Sequence, residues 1–419
     1  GMMAKRLVFT IDQDWVRRGV TRKAGSLIAM HINVLRPPRG VNGDVTISTE
    51  QETVFQPTER QAVDDVVVMD ERIVAVVNDN VVGHLVAFTP GGTENWRPTN
   101  LPAADNVAIH LGSVDQSSWR FFYSFEGFLT PETLALADLR QNSANVVAQA
   151  PARFDASTHV VEQKEAVSAD GTRIPYFVVR PKTAPGDGST PTLMFGYGGF
   201  NVSYPPAYKP ELGKLWLARG GAYVLANIRG GGEFGPDWHE AALRENRQRA
   251  FDDFAAVARA VEADGLTSPR RLGIYGRSNG GVLTSVSITQ HPELFHAAVI
   301  ESPLIDMLRY WELPAGASWI GEYGDPRTAG DAAFIARYSA YQNLRPRAGY
   351  PRVYITTNTR DDRVHPGHAR KFAARLADMG YDRLYYEETS GGHSNDADPV
   401  ANARRWARHY TYLMQQLMD

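Results

Sequence analysis

The 419-residue sequence contains no cysteine. This absence excludes disulfides, thiol nucleophiles and cysteine-ligated zinc together, and it fits a cytoplasmic chain. Long apolar stretches are missing too: no uninterrupted run approaches the roughly 18–20 residues needed to span a bilayer. The basic start, Gly1 to Arg6, leads into an apolar run that ends at Asp12. That run is too short for a signal peptide, and Gly1 ahead of Met2 reads as a cloning remnant. Neither sign of charge is in excess, with 44 Lys and Arg against 47 Asp and Glu for a net charge of −3. With no acidic or basic tail, neither nucleic acid nor a membrane surface is expected as a partner. What is present is ordinary: 43% hydrophobic and 22% charged residues, which rules out wholesale disorder. The length is ample for a buried core, so no structural metal is required.

The chain reads as two halves of different periodicity. From residue 6 to about 148 it shows short runs rich in Val, Ile and aromatics and no helical pattern. These runs are Arg6–Ile11, Leu27–Leu35, Asp65–Met69, Ile73–Val77, Leu85–Phe88, Val107–Leu111, Trp119–Phe125 and Leu134–Leu139. Turn residues such as Asn78-Asp79-Asn80 and Thr130-Pro131 separate them. They gather about every 45 residues, which predicts about three four-stranded propeller blades over residues 1–150. A β-sandwich is the alternative reading of the same spacing. After Pro151 the pattern changes. Asp170-Gly171 between Glu165–Val167 and Ile174–Val179 marks a hairpin, because both turn residues tolerate positive φ. Buried strands are then expected at Leu193–Gly196, Tyr223–Ala226, Leu272–Tyr275, Ala297–Ile300, Val353–Thr357 and Leu384–Glu387. Helices are expected at Pro210–Arg219, Arg249–Ala263, Gly280–Gln290, His365–Met379 and Pro399–Met418. This alternation predicts a doubly wound, mostly parallel α/β domain over residues 151–419, with ligands at the carboxyl ends of its strands.

The chemistry is expected there. Strand Leu272–Tyr275 runs into Gly276-Arg277-Ser278-Asn279-Gly280 and then an apolar helix. This is Gly-x-Ser-x-Gly between strand and helix, a tight elbow that raises the Ser278 hydroxyl above the sheet as a nucleophile. In the α/β-hydrolase order an acid and then a histidine should follow. His393, in the loop Ser390-Gly391-Gly392-His393-Ser394 between the last strand and the last helix, is the candidate base. His291 and His296 flank the elbow helix, His409 lies inside the last helix, and His365 with His368 read as helix-surface residues. The acid should follow Val353–Thr357, where Asp361 and Asp362 both qualify and spacing does not choose between them; Asp306 is a weaker third.

With these residues the chain resembles the prolyl oligopeptidase family of serine peptidases. The shared motifs are Gly196-Tyr197-Gly198-Gly199-Phe200-Asn201, Asn227 to Gly235, Gly276 to Gly281, Asp361-Asp362-Arg363-Val364 and Gly392-His393, in family order over about 270 residues. The resemblance implies an α/β-hydrolase domain preceded by a partial, all-β propeller. It assigns the acid to Asp361 and the oxyanion hole to the Tyr197 hydroxyl and the Asn279 backbone N–H. It places Trp319 where the family stacks an indole on a substrate proline ring. Phe200, Leu304, Tyr323 and Val364 fall where its other apolar pocket walls lie, and Arg363 where it binds a substrate carbonyl. The Arg229–Gly235 loop is expected to shape the wall of the site. Pro303 departs from the family, which has a smaller or different residue there.

The expected activity is that of a serine peptidase cutting short peptides on the carboxyl side of proline, with no cofactor or metal. The competing readings are an acylaminoacyl peptidase or esterase on the same scaffold, and a catalytically silent interaction protein. About three blades fall short of the four to eight of a closed propeller. A homo-oligomer, a complementary chain that completes the propeller, or a truncated chain is therefore expected.

Overall fold

The computed structural model describes residues 2–3, 6–35, 46–91, 96–346, 349–394 and 397–418; Gly1, read as a cloning remnant, lies outside them. The chain divides into two compact units. The first comprises Gly1–Ala152 with Pro205–Tyr208 and Glu233–Asp237, the second the remainder.

The first unit is all β. It holds three four-stranded sheets, each with strands paired antiparallel. The first sheet orders Met2–Met3, Arg6–Thr10, Leu27–Leu35 and Thr46–Phe55. The second orders Trp96–Asn100, Val82–Pro90, Arg72–Asp79 and Gln61–Met69, and the third Ala108–Val114, Arg120–Gly127, Thr130–Asp138 and Ser143–Gln149. The middle sheet explains why Arg72–Asp79 reads as a continuous apolar run rather than an alternating one. Ile73, Ala75 and Val77 face a core shared with Val8, Leu27 and Ala29 of the first sheet. Val74 and Val76 face a second core shared with Ile109, Phe121 and Tyr123 of the third. This stacking of four-stranded antiparallel sheets is propeller-like. The sequence reading missed the outer strands Thr46–Phe55, Trp96–Asn100 and Ser143–Gln149. Thr46–Phe55 is mostly polar and Trp96–Asn100 mostly exposed, while in Ser143–Gln149 the run Val146-Val147-Ala148, interrupted by a bulge, breaks any apolar alternation.

The second unit is built on one eight-stranded sheet. Its strands are β1 (His159–Val167), β2 (Arg173–Pro181), β3 (Thr192–Gly196), β4 (Ala222–Ala226), β5 (Leu272–Arg277), β6 (Ala297–Glu301), β7 (Arg352–Asn358) and β8 (Arg383–Glu388). Their order is β1-β2-β4-β3-β5-β6-β7-β8, antiparallel at β1/β2 and β2/β4 and parallel throughout the rest. Between and after the strands run helices α1 (Pro210–Leu215), α2 (Gln248–Ala263), α3 (Asn279–Gln290), α4 (Gly367–Asp378) and α5 (Pro399–Leu417), and a ten-residue helix that the sequence reading missed, Ala329–Tyr338, lies between β6 and β7. In α2, Phe251, Phe254, Ala255, Ala258 and Val261 recur at helical spacing and are buried. Every residue of α3 except Gln290 is buried, as befits a central helix. The predicted helix Pro210–Arg219 is interrupted at Trp216. Its fully buried indole donates to the Ala222 carbonyl at 2.7 Å and turns the chain, so only a 3₁₀ turn, Leu217–Arg219, follows. Among the described residues no helix is long and apolar enough to cross a membrane.

Candidate active site

Ser278 stands between the end of β5 and the start of α3 at φ 58° and ψ −119°, a conformation that non-glycine residues avoid. Close glycine packing holds it there. A Cβ on Gly276 would lie 2.0 Å from the Gly280 carbonyl oxygen, and one on Gly281 would lie 2.5 Å from Cβ of Pro303. The Ser278 N–H donates to the Glu301 carbonyl at 3.0 Å, which ties the elbow to the end of β6.

The loops after β7 and β8 bring Asp361 and His393 to Ser278. His393 Nε2 is 3.1 Å from Ser278 Oγ, and His393 Nδ1 is 2.8 Å and 3.0 Å from the two Asp361 carboxylate oxygens. Asp362, the alternative acid, is exposed at the surface. Asp361 Oδ1 also accepts the backbone N–H groups of Arg363 (3.1 Å) and Val364 (2.8 Å). Burial alone would push the Asp361 carboxyl up. The hydrogen bond and charge of His393, with those two N–H groups, outweigh it and hold the group below the ordinary carboxylate range. An ionised Asp361 fixes the imidazole with Nδ1 protonated and leaves Nε2 to accept the serine proton.

Tyr197 follows β3 in the Gly-rich loop. Burial pushes its phenol up, against a hydrogen bond with Ser278 and the positive charges of Arg247 and Arg363, so it is a neutral donor at neutral pH. Asn279 opens α3, where the first N–H groups have no intrahelical acceptor and the helix dipole favours negative charge. The Tyr197 phenol, hydrogen-bonded to Ser278, and the Asn279 N–H at the start of α3 are therefore the candidate donors for a tetrahedral oxyanion.

Of the residues expected to line the proline pocket, Phe200 and Trp319 keep part of their surface open. Phe200 meets Tyr323 edge-on at 5.7 Å, and Tyr323 meets Tyr310 edge-on at 5.5 Å. Leu304, Tyr323 and Val364 are buried in the core cluster against which Phe200 and Trp319 pack. Arg363 is exposed and forms no ion pair with Asp361 or Asp362 among the described residues, while its charge reaches Tyr197.

Residues 211–419 match the prolyl oligopeptidase family. The chain belongs to that family. An uncharacterized peptidase of Sinorhizobium fredii is 41% identical over 421 residues, covering 100% of this chain and 57% of its own length. A prolyl endopeptidase of Elizabethkingia miricola is 35% identical over 284 residues, covering 67% of this chain and 39% of its own. The structure of a post-proline cleaving enzyme from Rickettsia typhi superposes with a TM-score of 0.88 at 36% identity, over 100% of this chain and 60% of that one. This prolyl oligopeptidase-family chain thus spans less than two thirds of the length of these relatives.

Charged residues buried around the site include Glu301, Arg247 and Glu322, which lie outside the shared motifs, and Arg229, which lies within one. Glu301, behind the elbow, accepts from the Tyr275 hydroxyl and from Arg405 Nη1, each at 2.6 Å, and lies 3.7 Å from Arg277 Nε. Arg247 and Glu322 pair at 2.8 Å on the other side, next to Asn279. Arg229, in the loop expected to shape the wall, is locked by Asp253 (2.6 Å) and Asp170 (2.5 Å), so its role is to brace the loop. No local period announces such pairs, because their partners lie far apart in sequence. His368 corrects the sequence reading in a different way. It is buried rather than on the surface, and its Nδ1 accepts the N–H groups of Ile305 (3.3 Å) and Asp306 (3.2 Å). Burial pushes it down to about 4, which keeps it neutral.

Proposed function

We propose that this chain carries the catalytic machinery of a serine peptidase that cleaves short peptides on the carboxyl side of proline. The observation that carries the reading is the hydrogen-bonded chain from Ser278 Oγ through His393 to buried Asp361. In this reading Ser278 Oγ attacks the scissile carbonyl carbon while His393 Nε2 takes its proton. The Tyr197 hydroxyl and the Asn279 N–H hold the oxyanion. The imidazolium then protonates the leaving amine, and water cleaves the acyl-serine ester by the same steps. Proline preference is supported by the partly open Trp319 and Phe200, since two aromatic faces desolvate a flat ring without stranding polar groups. The names of the Elizabethkingia and Rickettsia proteins point the same way. The test is hydrolysis of a blocked glycyl-proline chromogenic substrate beside matched alanine and arginine substrates, with fluorophosphonate labelling of Ser278. Preferred cleavage of the proline substrate is expected. Labelling with equal or better cleavage of the alanine or arginine substrate would favour the acylaminoacyl peptidase or esterase reading, and no labelling would favour a silent scaffold.

A further inference from the structure

One buried polar network joins the groups read as oxyanion donors to the rings read as the proline pocket. Its centre is the Asn279 side chain, which is fully buried. Asn279 Nδ2 donates to the Tyr197 carbonyl at 2.6 Å, which fixes the loop that carries the phenol. Asn279 Oδ1 accepts from the Tyr323 hydroxyl at 2.7 Å and from Arg247 Nη2. The second arm of Arg247, Nη1, donates to Glu322 Oε1 at 2.8 Å, and its guanidinium lies 5.2 Å from the centre of the Tyr323 ring. Glu322 Oε1 in turn accepts the Phe200 N–H at 2.9 Å, and Oε2 pairs with His239 Nε2 at 2.8 Å. Arg247 and Glu322 are only 1% and 6% exposed. Gly199 lets the network close, since a Cβ there would lie 2.6 Å from Asn279 Nδ2 and 3.0 Å from Arg247 Nη2.

We propose that Arg247 and Glu322 are positioning residues: their buried pair sets the orientation of the Asn279 amide and the Gly196–Asn201 loop, and thereby the oxyanion donors. This proposal rests on the serine peptidase reading of Ser278, Tyr197 and Asn279. A planar fork is required because Arg247 bonds the carboxylate and the amide oxygen at once, and a lysine ammonium lacks that geometry. Misplacing a reacting group by about 1 Å costs about 10²-fold in rate.

The test compares the parent with Arg247→Lys, which keeps the charge, and with the double variant Arg247→Met/Glu322→Gln, which leaves no unpaired buried charge. Three quantities are read: melting temperature, amide hydrogen exchange over residues 196–201, and kcat with KM on blocked glycyl-proline and glycyl-alanine substrates. Both variants should fold, exchange the Phe200 amide at least about tenfold faster, and lose about tenfold to hundredfold in kcat on both substrates with KM little changed. A double variant that keeps parental kcat overturns the proposal, because the pair would then only neutralise buried charge. Parental exchange at Phe200 in both variants overturns it as well. Faster exchange in the variants of a parent that hydrolyses neither substrate upholds the loop coupling and places the failure on the peptidase reading.

Discussion

Ser278 accepts a backbone conformation that L residues avoid, and its hydroxyl meets His393 Nε2 at 3.1 Å. Strain of this kind, held by the glycines of the elbow, is expected where a side chain is presented for chemistry. Replacing Ser278 by Ala removes no packing of consequence. The variant should therefore melt with the parent while losing at least about 10⁴-fold in kcat. Activity within tenfold of the parent, read with the blocked proline substrate, would remove Ser278 from the mechanism. Trp319 tests the pocket by the same logic. Truncation to Ala removes about 100 Å² of apolar contact at about 25 cal/mol per Å², about 2.5 kcal/mol or nearly a hundredfold in kcat/KM on proline substrates. Equal losses on proline and alanine substrates would make Trp319 a structural residue.

Between elements, β6 fastens the elbow to the last helix. Glu301 at its end receives Tyr275 from β5 and Arg405 from α5, with Arg277 nearby. Burial would raise this carboxyl, but positive charge from His409, Arg405 and Arg277, with the Tyr275 hydroxyl, brings it down to about 2. His409 itself is pushed down by burial to about 4, so near neutral pH the two arginines hold the carboxylate and His409 contributes only in acid. A carboxyl whose folded value lies below its ordinary 4.5 stabilises the fold above that value and loses the contribution as pH falls toward about 2. Parent and Glu301→Gln should therefore differ most in melting temperature at pH 5–7, and the gap should narrow as pH drops below about 4.5. A gap that stays constant to pH 3 would contradict the assignment. The same elements show where sequence reading stops. Ser278, Asp361 and His393 were legible because each sits just past a predicted strand, where local pattern and chain order suffice. The acid was chosen between Asp361 and Asp362 only by resemblance, and in the structure Asp361 is the one within reach of His393. Arg247 and Glu322 were illegible because they pair across 75 positions. His368 was misread because the groups that bury it come from Ile305 and Asp306, outside its own helix.

Across the whole chain, the alternation of strands and helices marked the class of the second unit, and the spacing of apolar runs marked the three four-stranded sheets of the first but not the two-stranded ribbon Trp15–Arg17 with Val20–Arg22. The third of those sheets leaves Phe122 and Leu134 39% and 38% exposed on one face, with Val146 and Val147 exposed on its outer strand. Apolar side chains beside a strand edge favour association. Light scattering at micromolar concentration should show a mass that rises with concentration, and Phe122→Ser with Leu134→Thr should reduce the rise; a constant monomer mass would refute this. The order of the large sheet bears on how the molecule forms. The Ser278–His393 contact joins residues 115 positions apart, and it exists only once β5, β6, β7 and β8 lie in parallel register. Helices close locally and early, whereas parallel pairing must first overcome the entropy of long loops. During refolding from urea the helical circular dichroism should therefore return before hydrolysis does. The chain would pass through a stage that looks folded to a spectrometer and is still inert toward peptides.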